Sequence, residues 1–219
     1  MKTLRVPFLN TLSTETSIDA ASEFIETENI ETHTMDCINW ADEHPERPVV
    51  QFKLVRINDG VLLKFYVKED VTRATLTSDN QPVYQDSSVE LFIDPSGDGT
   101  YYNFEFNAIG TLLLGFGANR HNREIALPEI TDRVKRLSSL GTLPFDNRRD
   151  KKPWQLTLMI PFTAFWHHAP YTIEGKVVRG NLQKCGNDLP VPHYLTWNPI
   201  LAPHPDYHRP ECFGIFDFI

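Results

Sequence analysis

Two runs of strict hydrophobic–polar alternation, joined by a short polar loop, occupy the middle of the chain between residues 84 and 110. Alternation with a period of two is typical of strands that bury one face, and a loop rich in Pro, Gly and Asp between two such runs predicts a β-hairpin. The apolar positions of the two runs are Val89, Leu91 and Ile93, then Tyr102, Phe104 and Phe106. We expect these two rows to pair and to bury one face of the hairpin.

The opposite face of the predicted hairpin is polar and contains two acids. Pairing of the apolar rows places Glu90 opposite Glu105, with Cβ atoms about 5 Å apart. Asn103 and Asn107 lie on the same face. Two neighbouring carboxylates destabilise a fold unless a cation, a shared proton or the hydroxyl groups of a ligand compensate them. This polar face is therefore the first place to look for a function.

Further alternating segments predict more strands. Residues 49–57 and 61–70 flank an Asn-Asp-Gly turn, which is a strong hairpin signal because Asp-Gly supplies the positive φ that tight turns require. The other segments with a strand pattern are residues 111–117, 154–162, 176–185 and 212–219.

Few segments favour a helix. Residues 11–30 give the best helical pattern, although an edge strand followed by a turn would also fit them, and residues 131–140 suggest a helical turn. Eight or more strands at short spacing predict an all-β fold, an antiparallel β-sandwich of the immunoglobulin-like or jelly-roll-like kind with minor helix. No repeat or linker divides the sequence, so we predict one domain over residues 1–219.

The charge balance narrows the classes of partner. The 219 residues have a formal net charge of −8 and no long basic run. Nucleic acids and anionic membranes bind clustered positive charge, so we expect neither as a partner, and a neutral ligand fits better. No segment is apolar enough to cross a membrane. The first ten residues lack the apolar core of a signal peptide, which leaves a cytoplasmic protein and a secreted or periplasmic mature chain as alternatives.

The hairpin loop has the spacing of a calcium-binding loop. Asp94, Asp98 and Glu105 occupy acidic positions of the D-x-S-x-D-G-x5-E pattern of an EF-hand. An EF-hand requires flanking helices, whereas residues 101–107 alternate as a strand that rises about 3.3 Å per residue and carries Glu105 away from Asp94. We therefore prefer the hairpin and expect no cofactor, with a looser calcium site at Asp94 and Asp98 left open.

A zinc site is a weaker hypothesis. His193, His204, His208 and Cys212 lie near the end of the chain, but their spacing fits no compact ligand set and prolines interrupt the segment. We interpret the segment as a rigid surface loop. The three cysteines of the chain form no complete disulfide framework, so one disulfide with a free thiol and three reduced thiols both stay open.

Glu90 and Glu105 would also suit a retaining glycosidase, whose acid and nucleophile lie about 5 Å apart. Two considerations argue against this hypothesis. A flat sheet face provides little of the desolvation that separates two carboxyl pKa values. Neighbours such as Lys64 or Lys68 would also neutralise the pair as a structural network.

Aromatic residues accompany the polar face. Tyr84 precedes the strand that contains Glu90, Trp197 lies in the segment TWNPI, and alternation places Gln183 on a polar face of its own strand. Aromatic rings stack on the C–H faces of sugars, while carboxylates and amides bind the hydroxyl groups. A single Trp or Tyr in an all-β protein usually belongs to the core, but this combination favours a ligand-binding surface.

Several segments resemble carbohydrate-binding module family 9 and its DOMON-like sandwich relatives, and most of all the stand-alone family 9-like proteins of gut Bacteroidetes. The resemblance rests on YQDSSVELFIDP, YYNFEFNAIG, GNLQKCG and HYLTWNPI with PDYHRPECFGIFDF, and it spans most of the chain from about residue 35 onward. It implies a β-sandwich that holds a sugar between two aromatic side chains, without catalysis, in carbohydrate catabolism.

The resemblance also implies roles for individual residues. The family has an aromatic residue six positions before a strand glutamate, and Tyr84 and Glu90 keep this spacing. Gln183 and Lys184 match the Gln-Lys pair of the family, and Trp197 matches its second aromatic residue. Tyr84 replaces the usual Trp, so we expect a smaller stacking area. The residues expected to make secondary contacts are Asn103, Glu105 and Asn107.

The leading hypothesis is a non-catalytic carbohydrate-binding β-sandwich. The second is a glycoside hydrolase that uses Glu90 and Glu105, and the third is an interaction module that has lost its sugar ligand. Buried and distant positions for Tyr84 and Trp197 would favour the third. We expect a carbohydrate partner and no membrane insertion, and the sequence leaves protein partners open.

Overall fold

The computed structural model describes residues 1–149, 152–173, 176 and 178–219. Within these residues the chain forms a large sheet of eight strands, a second sheet of five and a two-stranded sheet. The strands are β1 (Thr3–Val6), β2 (His33–Thr34), β3 (Val49–Ile57), β4 (Gly60–Lys68), β5 (Thr72–Ala74), β6 (Ser87–Asp94), β7 (Tyr101–Asn107), β8 (Leu112–Gly117), β9 (Glu124–Ile125), β10 (Lys135–Ser138), β11 (Phe145–Arg148), β12 (Trp154–Pro161), β13 (Val178–Gly186), β14 (His193–Thr196) and β15 (Gly214–Phe218). The helices are α1 (Ile18–Thr27), α2 (Pro128–Thr131) and 3-10 turns at Val83–Gln85, Phe162–Ala164 and Pro210–Cys212.

The predicted hairpin lies at the centre of the large sheet. β6 and β7 pair antiparallel with Glu90 directly opposite Glu105, so the predicted register is confirmed. The strand order is β1-β15-β13-β6-β7-β8-β9, and β14 pairs with the second half of β13. Gln183 of β13 lies opposite Glu90 on the other side. Three polar residues therefore form one row across neighbouring strands, because directly opposed residues point to the same face.

The second sheet has the order β10-β12-β4-β3-β2 and is built on the other predicted hairpin. β3 covers the predicted residues 49–57, and Ile57 pairs with Gly60 across the turn. A Cβ atom on Gly60 would lie 2.4 Å from the carbonyl oxygen of Ile160, so a residue without a side chain is required there. The turn and the packing of the neighbouring strand thus both require glycine at position 60.

The two large sheets pack together through their apolar faces, which confirms the all-β sandwich. Both sheets contribute core residues. Those that are at most 1% exposed include Val89, Leu91, Phe104 and Phe106 of the large sheet and Leu63, Phe65, Leu156 and Leu158 of the second sheet. Complete burial of such a side chain stabilises the fold by about 1.5–3 kcal/mol. The hydrophobic–polar alternation in the sequence therefore corresponds to the buried and outer faces of the strands in the structure.

The predicted N-terminal helix is present as α1 and covers the outer face of the second sheet. The side chain of Ser17 accepts a hydrogen bond from the backbone N–H of Ala20, a typical N-cap. Glu26 forms an ion pair with Lys64 at 2.7 Å. The suggestion that Lys64 neutralises the hairpin acids was therefore wrong, since Lys64 lies on the other sheet. Within the described part of the chain, no helix is both long and apolar enough to span a bilayer.

Local structure differs from the expectation in three places. The helical turn expected around residues 131–140 lies earlier, at α2, and residues 135–138 form β10, since pairing with β12 satisfies their backbone groups and overrides local propensity. β1 and β15 pair in parallel rather than antiparallel. The strand expected over residues 176–185 begins at Val178 in the structure, and Val177 lies outside the described residues.

A C-terminal segment folds over the outer, polar face of the large sheet. Tyr207 and Phe213 of this segment pack with Phe92 and Tyr101 of the hairpin and with Trp40 in a separate apolar cluster. The polar face expected to be flat and open is therefore partly covered, and a pocket forms beneath the covering segment.

Candidate functional site

A pocket of about 450 Å³ opens on the outer face of the large sheet. Pockets of this size suit small ligands. Its aromatic wall residues are Tyr84, Phe92, Tyr194 and Tyr207. The residues at its polar floor are Glu90, Asn103 and Glu105, and the charged residues around them are Arg120, Arg123 and Asp206. Aromatic walls thus surround a polar floor.

Glu90 and Glu105 lie deep in this floor and are 1% and 4% exposed. The Ser88 hydroxyl donates a hydrogen bond to Glu90 Oε1 at 3.1 Å, and the Asn103 side-chain amide donates to Glu105 Oε1 at 2.7 Å. Among the described residues, no group donates a hydrogen bond to the second oxygen of Glu105, Oε2. The floor therefore presents a buried acceptor without a protein donor.

Burial raises the pKa of both floor acids. For Glu90, loss of solvation is the largest cause and repulsion from Glu105 adds to it, so the pKa lies well above its usual range. For Glu105, burial raises the pKa to about 7 against the opposing effects of Asn103 and Arg123. Two adjacent buried carboxyl groups resist double ionisation, so the pair holds a proton at neutral pH. The expectation that this face provides little desolvation was wrong, because the C-terminal segment covers it.

Arg123 fixes one side of the floor. Its Nε donates to Asn103 Oδ1 at 2.8 Å, which directs the Asn103 amide toward Glu105. Its terminal nitrogens donate to the backbone carbonyls of Tyr101, Gly115, Gly117 and Asn119. The guanidinium also lies 4.4 Å from the centroid of the Tyr101 ring. Arg123 therefore acts on the floor mainly by orienting Asn103.

Tyr84 is the most exposed ring of the pocket wall, with 40% of its surface accessible. It lies on the 3-10 turn directly before β6, and its carbonyl accepts a hydrogen bond from the Asn187 backbone N–H at 3.2 Å. Across the pocket entrance the Tyr194 hydroxyl donates to Asn187 Oδ1. The backbone of Tyr84 and the hydroxyl of Tyr194 are thus both tied to Asn187. The Tyr194 ring also packs against Trp40, His44 and Tyr207, so the Tyr84 ring is the more accessible of the two.

The C-terminal side of the pocket is held by two further hydrogen bonds. The Tyr207 hydroxyl donates to the Lys184 carbonyl oxygen at 2.7 Å. The Tyr101 hydroxyl and His208 Nδ1 lie 2.8 Å apart. Burial, followed by the positive charge of Arg123, lowers the pKa of His208 to about 3. His208 is therefore neutral, and its ring serves as part of the pocket lining.

Gln183 lies beside Glu90 in the polar row and is fully buried. In the part of the chain that the structure describes, neither its Oε1 nor its Nε2 has a hydrogen-bond partner. Buried polar groups are nearly always paired, so each exception requires an explanation. Gln183 is not among the residues that line the pocket, so its unpaired amide lies buried beside Glu90 and outside the lining.

Lys184 does not reach the pocket. It follows Gln183 in β13 and therefore points to the opposite, core-facing side of the sheet. Its ammonium lies 2.9 Å from Glu69 Oε2 and 2.9 Å from His193 Nε2. Burial would raise the pKa of Glu69, but Lys184 and His193 lower it to about 2. The ligand contact expected for Lys184 thus disagrees with its position.

Trp197 is also absent from the pocket lining. It is 4% exposed and belongs to the main core, where its ring centroid lies 5.6 Å from that of Phe216. The expectation of a second aromatic platform at Trp197 therefore needs correction. Tyr194, three positions earlier in the same segment, lies at the pocket instead.

Asn107 shapes the end of β7 and does not line the pocket. Its amide donates to the Leu76 carbonyl and to Asp86, and its oxygen accepts the backbone N–H groups of Ile109 and Thr111. All of its side-chain groups are used in this turn. The secondary ligand contact expected there disagrees with this placement.

The acids of the hairpin loop bind the loop itself. Asp94 accepts hydrogen bonds from the backbone N–H groups of Ser96, Gly97 and Gly99, and Asp98 accepts two from Thr100. These bonds give both carboxylates a structural role as turn residues.

The histidines and cysteines considered as zinc ligands are held by separate partners. His193 contacts Lys184 and Glu69, whereas His208 contacts Tyr101. Among the described residues, no group of three or more His, Cys, Asp or Glu side chains suits a metal ion. The three cysteines are free thiols.

Arg123, Tyr194 and Tyr207 are among the pocket residues that sequence reasoning missed. Arg123 and Tyr207 lie in irregular segments, where no period reveals which way a side chain points. Tyr194 had a detectable signal, because it lies in the HYLTWNPI segment and alternates with His193 and Leu195.

Comparisons with known proteins show which family and fold this chain is similar to. A family model described as carbohydrate-binding family 9 matches residues 19–218. A protein from Bacteroides uniformis, described as a candidate carbohydrate-binding protein, has a crystal structure that matches with a TM-score of 0.93 and 37% identity. The match covers 100% of this chain and 99% of that chain. A comparison with curated proteins found no match.

Two more distant structures share the fold. Both are carbohydrate-binding modules of family 9 from Caldicellulosiruptor kristjanssonii, one in complex with cellotriose and one with glucose. The cellotriose complex has a TM-score of 0.58 and 14% identity and covers 99% of this chain and 93% of that chain. The glucose complex has a TM-score of 0.56 and 15% identity, with 100% and 96% covered.

Proposed function

The chain belongs to carbohydrate-binding family 9, and on this basis we propose that it binds a carbohydrate, without catalysis, in the pocket above the floor row. The observation that supports this most strongly is the combination of an exposed aromatic ring with buried carboxyl and amide groups in one pocket. A sugar ring has apolar C–H faces and a polar edge, so it requires both kinds of contact.

Each side of the pocket has a distinct role in this proposal. The ring of Tyr84 stacks on the face of the sugar. Glu90 and Glu105 accept hydrogen bonds from its hydroxyl groups, and Glu105 Oε2 is the acceptor for which the protein offers no donor. Asn103, held by Arg123, fixes the orientation of Glu105. Gln183 lies next to Glu90 but outside the pocket lining, so this proposal gives it no direct contact with the sugar.

The ligand size follows from the pocket. A volume of about 450 Å³ suits a monosaccharide or the terminal residue of an oligosaccharide. The glucose and cellotriose seen in the two distant family members are of this size class. We extend the proposal to a role in carbohydrate catabolism, in which the protein would bind sugars of this size.

Isothermal titration calorimetry with a panel of monosaccharides and short oligosaccharides tests the proposal. We expect millimolar to micromolar affinity for at least one of them, that is, a binding free energy of about −4 to −8 kcal/mol. The absence of binding across the panel would overturn it. The same preparation incubated with aryl glycosides distinguishes binding from hydrolysis, since turnover abolished by Glu90→Gln would support the glycosidase hypothesis instead.

A further inference from the structure

The charges around the pocket floor do not balance. Glu90 and Glu105 are both buried, and the cations whose charge acts on them are Lys184 and Arg123. Lys184 is already paired with Glu69 on the core side of the sheet. Arg123 therefore remains as a single positive charge beside two carboxyl groups, and its donors are directed at Asn103 and backbone carbonyls rather than at either carboxylate.

The other titratable groups at the pocket leave this imbalance in place. Some of them are wholly or partly buried and neutral, namely Cys185, Tyr194, Tyr207 and His208. Arg120 and Asp206 lie at the rim and have opposite charges. Arg120 is exposed, so solvent screens its charge. The floor can compensate its second carboxylate by holding a proton.

The unpaired polar atoms of the floor give independent evidence about the ligand. Glu105 Oε2 and both amide atoms of Gln183 are buried without a partner among the described residues. They flank Glu90, the central member of the row. Of these atoms, Glu105 Oε2 belongs to a residue that lines the pocket, as Glu90 does. A ligand that satisfies it must bring a donor to the floor, and an added positive charge on that donor would replace the proton.

We propose that the pocket prefers a sugar with a free amino group, a hexosamine, whose ammonium group binds between Glu90 and Glu105. This inference rests on the carbohydrate-binding function proposed above and names its ligand class. An ammonium group supplies three N–H donors and one positive charge, whereas a hydroxyl group supplies one donor and no charge. On binding, the floor pair releases its proton to the buffer, and charge-assisted N–H···O bonds to the two carboxylates take its place.

Three matched sugars test the preference by isothermal titration calorimetry. At about pH 6 the amino group of D-glucosamine is protonated. We expect D-glucosamine to bind about tenfold more tightly than D-glucose, the gain typical of replacing a neutral hydrogen bond by a charged one. N-acetyl-D-glucosamine, which has no charge on its nitrogen, should bind no more tightly than D-glucose. Titrations in two buffers of different ionisation enthalpy should show proton release with D-glucosamine and none with D-glucose.

A pair of variants separates this site from general attraction of a cation to an acidic protein. Glu105→Gln keeps the size and an oxygen acceptor but removes one charge, and it should reduce the preference for D-glucosamine to about parity with D-glucose. Glu90→Gln should do the same and serves as a second variant should the first fold poorly. Glu23→Gln removes an exposed acid on α1, on the other sheet, and should leave the preference unchanged.

Equal or weaker affinity of the wild-type protein for D-glucosamine than for D-glucose would overturn the inference and leave the carbohydrate-binding function intact. A preference that survives in both floor variants would also overturn it. Failure of all three sugars and of the wider panel would overturn the proposed function itself.

Discussion

Glu90 on β6 and Glu105 on β7 lie directly opposite each other at the floor of the pocket, 1% and 4% exposed. On an open sheet, water would solvate both carboxylates. Beneath the C-terminal segment, burial raises the pKa of both groups, and their proximity adds to the effect for Glu90. Perturbed carboxyl pairs of this kind concentrate at functional sites, where a ligand can relieve the electrostatic cost.

The floor pair should make stability depend on pH. The pKa of Glu105 rises from 4.5 in an ordinary carboxyl to about 7 in the folded protein. The unfolded chain therefore loses this proton at lower pH than the folded protein, so the free energy of unfolding should fall as the pH rises from about 4.5 to about 7. Glu105→Gln should reduce this decline and stabilise the protein at neutral pH by up to about 3 kcal/mol. Glu90, whose pKa burial also raises, should keep its own contribution to the decline.

Urea unfolding at several pH values measures this effect. Glu23→Gln, an exposed acid on α1, is the matched control and should keep the decline of the wild-type protein. An unchanged pH dependence in Glu105→Gln would show that Glu105 ionises normally in the folded protein.

Tyr84 should contribute to sugar affinity without contributing much to stability. Removing its ring in Tyr84→Ala should weaken binding about tenfold, near the upper end of aromatic pair energies, while the melting temperature changes little because the ring is 40% exposed. Tyr84→Trp enlarges the stacking surface and should strengthen binding. Tyr66→Ala is the control, since Tyr66 bonds Glu26 near the second sheet. Equal losses in Tyr84→Ala and Tyr66→Ala would exclude Tyr84 as a platform.

Trp197 should show the opposite behaviour. Trp197→Ala removes a buried core ring and should lower the free energy of unfolding by about 3–5 kcal/mol. Trp197→Phe keeps an aromatic ring in the core and should retain sugar affinity, measured by calorimetry on the folded variant. If Trp197→Phe folds but no longer binds the sugar, Trp197 would have to belong to the binding site, which would contradict this prediction.

The buried pair of Lys184 and Glu69 should be costly to break from one side. Lys184→Met leaves the carboxylate of Glu69 buried without its cation and should destabilise the fold by about 3–5 kcal/mol. The double variant Lys184→Met with Glu69→Gln removes both charges and should recover part of this loss. Denaturant unfolding of the wild-type protein, the single variant and the double variant measures these changes. A double variant that is no more stable than Lys184→Met would contradict the prediction.

The alternation in the sequence was sufficient to predict the hairpin register. Apolar rows on both strands of β6 and β7 can pair in few ways, because a shift by one residue exposes every apolar side chain. The opposition of Glu90 and Glu105 followed from that constraint. The same rule also indicated that the adjacent residues Gln183 and Lys184 face opposite sides of β13, and the family resemblance overrode this signal.

The cover of the pocket could not be predicted in this way. Tyr207 and His208 lie in an irregular, proline-containing segment between β14 and β15, where no period relates sequence to direction. The burial of the floor acids, and with it their raised pKa values, depends on where that segment folds. The position of Trp197 in the core likewise follows from long-range packing against Phe216.

The most direct test is a titration of the isotopically labelled protein with the tightest-binding sugar of the panel, followed by backbone amide NMR. The account predicts saturable shifts concentrated in β6, β7, the Tyr84 turn and the segment around Tyr194 and Tyr207, with the amides of α1 unaffected. Saturable shifts centred on another surface, or no shifts with any sugar, would contradict carbohydrate binding in this pocket.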